Sequence, residues 1–127
     1  MAVVVLPEER FPATWSGQTA VVAAAGEIDL TNAEKFRDAL LSALNAEASG
    51  LVVDLTGTTF LDSAGVTALV RASRRAAATG ASLRLAVTHP AVLRVLNLVG
   101  LDRLIDIHAS VAAAVSSLPD HRAEPRT

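Results

Sequence analysis

The chain has 127 residues, of which 51% are hydrophobic and 19% charged, with a formal net charge of −2; that fits one ordinary domain able to bury a core without metal or disulfide staples. The near-balanced charge leaves no basic footprint for direct nucleic-acid contact. The absence of cysteine excludes disulfides, thiolate metal sites and cysteine nucleophiles.

Many of the hydrophobic residues are alanines, so the percentage overstates the bulk available for a core. No apolar run is longer than Ala20 to Ala25, far short of the roughly 18 residues that suggest a membrane span. The opening Met1-Ala2-Val3-Val4-Val5-Leu6-Pro7-Glu8 is apolar too briefly for a secretory signal, and no basic residues precede it. The expectation is a soluble cytoplasmic protein with no membrane partner. Residues 1–118 are expected to form one domain. The tail 119–127, with Pro119 and Pro125 and little apolar content, is expected to be disordered.

A first strand is placed within Val3–Leu6 or Phe11–Trp15. Thr19 to Ala25 reads as the next strand, with Val21 and Val22 β-branched and Gly26 closing the run. Thr31-Asn32-Ala33-Glu34 has the form of a capping box, in which Thr31 caps a helix and Glu34 reaches back. That helix carries Ala33, Phe36, Leu40 and Leu44 on one face. Leu51 to Leu55 reads as a short buried strand. A second helix is expected from Ser63 to the glycine cap at Gly80, with Val66, Leu69, Val70, Ser73 and Ala77 on its apolar face. Ser82 to Val87 follows as a strand. Pro90 opens a helix over 91–99 that stops at Gly100. Ile105-Asp106-Ile107 makes a last strand, and Ser110 caps a final helix ending near Leu118. The alternation implies an α/β domain, with a mixed, mostly parallel sheet of four to five strands and about four helices.

The junction Phe60-Leu61-Asp62-Ser63-Ala64-Gly65 carries the strongest signal. Asp62 is a good N-cap, which makes Ser63 the first helical residue. Free amides and the helix dipole at that end tolerate an anion. A phosphate on Ser63 would add about −1.5 to −2 charge to the surface and repel an acidic or apolar partner contact. On chemistry alone, a serine in this place is ordinarily only a cap.

Gly26-Glu27-Ile28-Asp29, then Asp54-Leu55-Thr56, then Phe60 to Gly65, then Leu96-Asn97-Leu98-Val99-Gly100-Leu101-Asp102 resemble the STAS domains of bacterial anti-sigma factor antagonists over about residues 19–118. The resemblance implies a STAS fold and a regulator of transcription rather than an enzyme. The unphosphorylated protein would bind an anti-sigma factor that is also a serine kinase, freeing a sigma factor. Phosphorylation of Ser63 would end the contact, and a serine phosphatase would reset the cycle. No cofactor and no metal is implied. Asp29, Asp62, Ser63, Ala64, Gly65 and Arg71 are the expected partner-binding residues, on a monomer or weak dimer. Ala64 stands where many members carry a second hydroxyl, which leaves Ser63 as the one acceptor in the motif.

Other chemistries fit less well. A serine hydrolase elbow needs glycine two residues before the nucleophile, and position 61 is leucine. His89 reads as a cap or loop residue, His108 as a solvated strand end, and His121 lies in the tail. No phosphate-binding loop surrounds Gly57. Asp102 and Asp106 read as separate solvated carboxylates. Arg71, Arg74 and Arg75 read either as a solvated face or as a contact strip for acidic groups. Within the same fold, the alternative is an accessory subunit of a lipid-transport ABC system, which would use the same helix for docking without phosphorylation.

Overall fold

The computed structural model describes residues 11–119. The alternative first strand at Val3–Leu6 and most of the tail, residues 120–127, lie outside the described residues. Five strands and four helices alternate: β1 (Ala13–Ser16), β2 (Thr19–Ile28), α1 (Ala33–Asn45), β3 (Gly50–Leu61), α2 (Ser63–Thr79), β4 (Ser82–Val87), α3 (Pro90–Leu98), a 3-10 turn (Leu101–Arg103), β5 (Asp106–His108) and α4 (Val111–Ser116). The strands lie side by side in chain order. β1 pairs antiparallel with β2 through the tight turn at Gly17, and every other neighbour pair is parallel. The mixed, mostly parallel α/β sheet expected from the sequence is therefore the fold observed. No helix among the described residues is long and apolar enough to cross a membrane.

The period-2 alternation of β3 explains the layering. Leu51, Val53 and Leu55 join the large core with Phe36, Leu40 and Leu44 of α1, Leu69 of α2, Leu85 of β4, and Val92 and Leu96 of α3. Val52 points the other way, into a much smaller cluster with Ala86 and Ala114 under α4. The two faces are thus unequally covered, and the larger core fixes α1 and α2 against β2 and β3. Phe11 closes one end of this core, its ring 5.4 Å from that of Phe36.

The structure corrects the sequence reading in five places, the first being β2, which does not close at Gly26 but runs on to Ile28, paired with β3. Asn32, not Thr31, precedes α1, and its side chain does not cap the helix. The Thr31 amide and hydroxyl both donate to the Asp29 carboxylate, because an aspartate two residues upstream is the stronger local acceptor. β3 continues past Leu55 to Leu61. Register shifts against β2 absorb the irregular stretch around Gly57, and the buried Thr58 hydroxyl donates to the Ala24 carbonyl at 3.0 Å. The buried face of α2 is Gly65, Ala68, Leu69, Ala72 and Ala76, whereas Val66 and Val70 are only half-buried and Ala77 is exposed. Small residues let the helix sit close to α1 and the sheet; a reading weighted by hydrophobicity favours the valines. The last strand is displaced by one residue, to Asp106–His108, and Ile105 is buried just before it.

Candidate functional site

β2 and β3 end level with each other, with Ile28 opposite Leu61. The next residues, Asp29 and Asp62, therefore emerge together at the carboxyl edge of the sheet, where ligands and partners of open α/β sheets commonly engage. The Asp62 amide donates to the Ile28 carbonyl at 3.1 Å and ties the two strand ends. The loop from Asp29 to Asn32 is built to hold its shape. Asn32 is buried; its Oδ1 accepts from the Asp29 amide at 3.0 Å, and its Nδ2 donates to the Glu27 carbonyl at 2.9 Å. Asp29 is thereby fixed through its backbone as well as through its carboxylate contact with Thr31.

Asp62 caps α2 as expected. Its Oδ1 accepts from the amides of Ala64 and Gly65 at 2.9 and 3.1 Å. Ser63 occupies the first helical position and is exposed; its carbonyl accepts from the Thr67 hydroxyl at 2.9 Å. The capping corrects one expectation. Two of the amides that could cradle an anion on Ser63, those of Ala64 and Gly65, already serve Asp62, so a phosphate there would stand beside a carboxylate with fewer free amides than the sequence suggests.

Gly65 is buried where α2 crosses the end of β3. A Cβ at this position would collide with Leu61 Cδ1 and lie 3.1 Å from Ile28 Cγ2. Glycine lets the first turn of α2 rest directly on both strand ends, and so sets the height at which Ser63 is presented.

The neighbouring groove lies between α1 and α2, with a volume of about 460 Å³. Ala64 and Arg71 line it, together with Leu30, Glu34, Arg37 and Thr67. Leu30 is 82% exposed and Phe60, in β3 beside Glu27, is 47% exposed. The expected site residues therefore fall into two connected groups. Asp29, Asp62, Ser63 and Gly65 form the rigid strand-end junction, while Ala64 and Arg71 face the groove. Arg75, one turn beyond Arg71, is engaged elsewhere, donating to Asn45 Oδ1 at 3.1 Å. Leu30 and Arg37 were absent from the sequence-derived site. A lone leucine in a polar loop gave a signal, but the pairing of helix faces that makes it part of a groove did not.

Two histidines lie among the described residues. His89 caps α3, its Nδ1 accepting from the Ala91 amide at 3.1 Å. His108 is half-buried rather than solvated, and its Nε2 is buried without a hydrogen-bond partner. Neither bonds to Ser63. No cluster of three or more histidine or carboxylate side chains suited to a metal occurs among the described residues.

Comparison with known proteins bears on the family and the fold. The family profile of the STAS domain matches residues 11–114. Rv2638 of Mycobacterium tuberculosis (strain ATCC 25618 / H37Rv), provisionally named an anti-anti-sigma factor, is 33% identical over 102 residues, covering 79% of this chain and 69% of its own. The crystal structure of an anti-sigma factor antagonist from Mycobacterium paratuberculosis superposes with a TM-score of 0.81 at 23% identity, over 92% of this chain and all of that one (100%). The phosphorylated form of the Bacillus cell fate determinant SpoIIAA gives a TM-score of 0.66 at 22% identity, over 84% of this chain and 96% of that one. These two structural likenesses bear on the fold alone. The chain belongs to the STAS domain family.

Proposed function

We propose that this protein is an anti-sigma factor antagonist whose binding is switched by phosphorylation of Ser63. Unmodified, it binds an anti-sigma factor of the serine-kinase type and so frees a sigma factor to direct transcription. The kinase transfers a phosphoryl group to the Ser63 hydroxyl and the complex separates; a serine phosphatase restores the binding form. The protein acts by occupying its partner, without catalysis or a cofactor of its own, and does so as a monomer or weak dimer.

One observation carries the reading. The only hydroxyl of the Asp62-Ser63-Ala64-Gly65 segment is exposed at the strand-end junction, while the Ala64 and Gly65 amides beside it are already taken by Asp62. A phosphate there finds those two amides engaged. It adds about −1.5 to −2 charge beside Asp62 and Asp29 at the contact surface. The likeness to one provisionally named anti-anti-sigma factor supports the partner class.

The test is calorimetric titration of a candidate anti-sigma kinase with the unmodified protein, the phosphorylated protein and Ser63→Ala. Tight binding by the unmodified protein and Ser63→Ala, with binding lost on phosphorylation, is expected. Equal binding by both forms would remove the switch. Docking onto an ABC transporter component, with no kinase bound, would favour the lipid-transport role instead.

A further inference from the structure

The groove between α1 and α2 leads away from Ser63 and contains features that capping and phosphorylation do not require. Leu30 stands at its mouth with 82% of its surface exposed. Its floor is formed of short side chains, Ala33 from α1 and Ala64 and Ala68 from α2. An exposed leucine beside a shallow apolar floor is suited to receiving one inserted apolar side chain.

The two arginines lining this groove differ in a telling way. Arg37 is neutralised on its own helix, 3.7 Å from Glu34 and 2.9 Å from Asp38. Arg71, from the facing helix, makes no ion pair or hydrogen bond among the described residues. Ala64 and Arg71 are seven residues apart on α2, roughly 10 Å along the helix axis. The groove thus offers an apolar seat at the Ser63 end and an unpaired cation about two turns further on.

We infer that this groove receives one amphipathic helix of the anti-sigma kinase, which places an apolar side chain against Leu30 and the alanine floor and a carboxylate on Arg71. The inference rests on the proposed function and adds the chemistry of the partner. A helix is the natural occupant: its residues at i and i+7 are separated by the same two turns as Ala64 and Arg71. Charge complementarity places its acidic residue at the Arg71 end. Phosphate at Ser63 would act on the other, apolar end of such a helix, setting about −1.5 to −2 charge against a side chain that must lose water to seat there.

The experiment measures binding of the anti-sigma kinase to wild type, Leu30→Ala, Arg71→Glu, Arg71→Lys and Arg94→Glu. Arg94 is exposed on α3, away from the groove, and serves as the control. Leu30→Ala and Arg71→Glu are each expected to weaken binding by about tenfold or more, Arg71→Lys by less, and Arg94→Glu by less than about twofold. High salt should shrink the Arg71→Glu effect and leave the Leu30→Ala effect in place. Circular dichroism checks that each variant folds. Wild-type affinity in both Leu30→Ala and Arg71→Glu, with the kinase still bound by wild type, would overturn the groove assignment alone. Failure of the wild type itself to bind would overturn the functional reading, and the groove assignment with it.

Discussion

Replacing Asp62 by alanine separates the structural duty of the junction from its functional one. The Asp62 carboxylate accepts from two amides of the first turn of α2, those of Ala64 and Gly65. Losing an N-cap of this kind costs about 0.5–2 kcal/mol. The favourable placement of a negative charge at the helix start contributes a further 0.3–1 kcal/mol or so. Asp62→Ala removes both terms and should destabilise the protein by about 1–3 kcal/mol. Asp62→Asn keeps an equally good capping oxygen and loses only the charge, so its cost should stay below about 1 kcal/mol. With a urea m-value of about 2 kcal/mol/M, the midpoints should fall by about 0.5–1.5 M for alanine and by less than about 0.5 M for asparagine. Urea unfolding followed by circular dichroism measures both. An alanine variant as stable as wild type, or an asparagine variant as damaged as alanine, would refute the assignment of Asp62 as the cap.

Asn32→Ala leaves the Asp29 amide and the Glu27 carbonyl without their partner and should cost about 1–3 kcal/mol, with hydrogen exchange at the Asp29 amide sharply accelerated. Gly65→Val forces a branched side chain onto the buried Leu61 and Ile28; overpacking of about 1–3 kcal/mol is expected, and Leu61→Ala in the same chain should recover part of it, as a double-mutant cycle measures. Ser63→Ala changes an exposed hydroxyl and should move stability by less than about 0.5 kcal/mol in the same denaturation assay. Arg84→Ala removes the donor to Ser117 Oγ at 3.0 Å and loosens α4 from β4, so amide exchange should rise in residues 111–118 while α1 and α2 keep their protection.

The order of elements was legible because each carries strong local punctuation. Gly80 adopts the left-handed conformation of a helix stop with φ of 79°. Pro90 starts α3 beneath a His89 cap, and Ser110 Oγ accepts from the Ala113 amide at the start of α4. The apolar stripe of α1 was equally plain, since Phe36, Leu40 and Leu44 are large and every one is buried. α2 was harder because its buried face is made of glycine and alanines, which a hydrophobicity pattern undervalues beside Val66 and Val70. The second half of β3 was hidden for another reason: Thr56-Gly57-Thr58-Thr59 reads as a turn, and only its pairing with β2 and the Thr58 bond to Ala24 make it a strand.

The site divides in the same way. Asp62, Ser63 and Gly65 lie in one contiguous motif and could be read directly. That Asp29 stands beside them follows from the Ile28–Leu61 register, which parallel pairing across a helix connection does not write into the sequence. The occupied amides of Ala64 and Gly65 were also out of reach. Sequence reasoning gives both a helix start able to receive an anion and an aspartate able to cap it; only the hydrogen bonds show that the aspartate has the amides.

Intact-mass analysis after incubation with an anti-sigma kinase and ATP tests the switch most directly. The account predicts one added phosphate on the wild type, none on Ser63→Ala, and release of the modified protein from the kinase. A wild type that gains no phosphate from a kinase that binds it, or a Ser63→Ala variant that is modified just as fully, would contradict it.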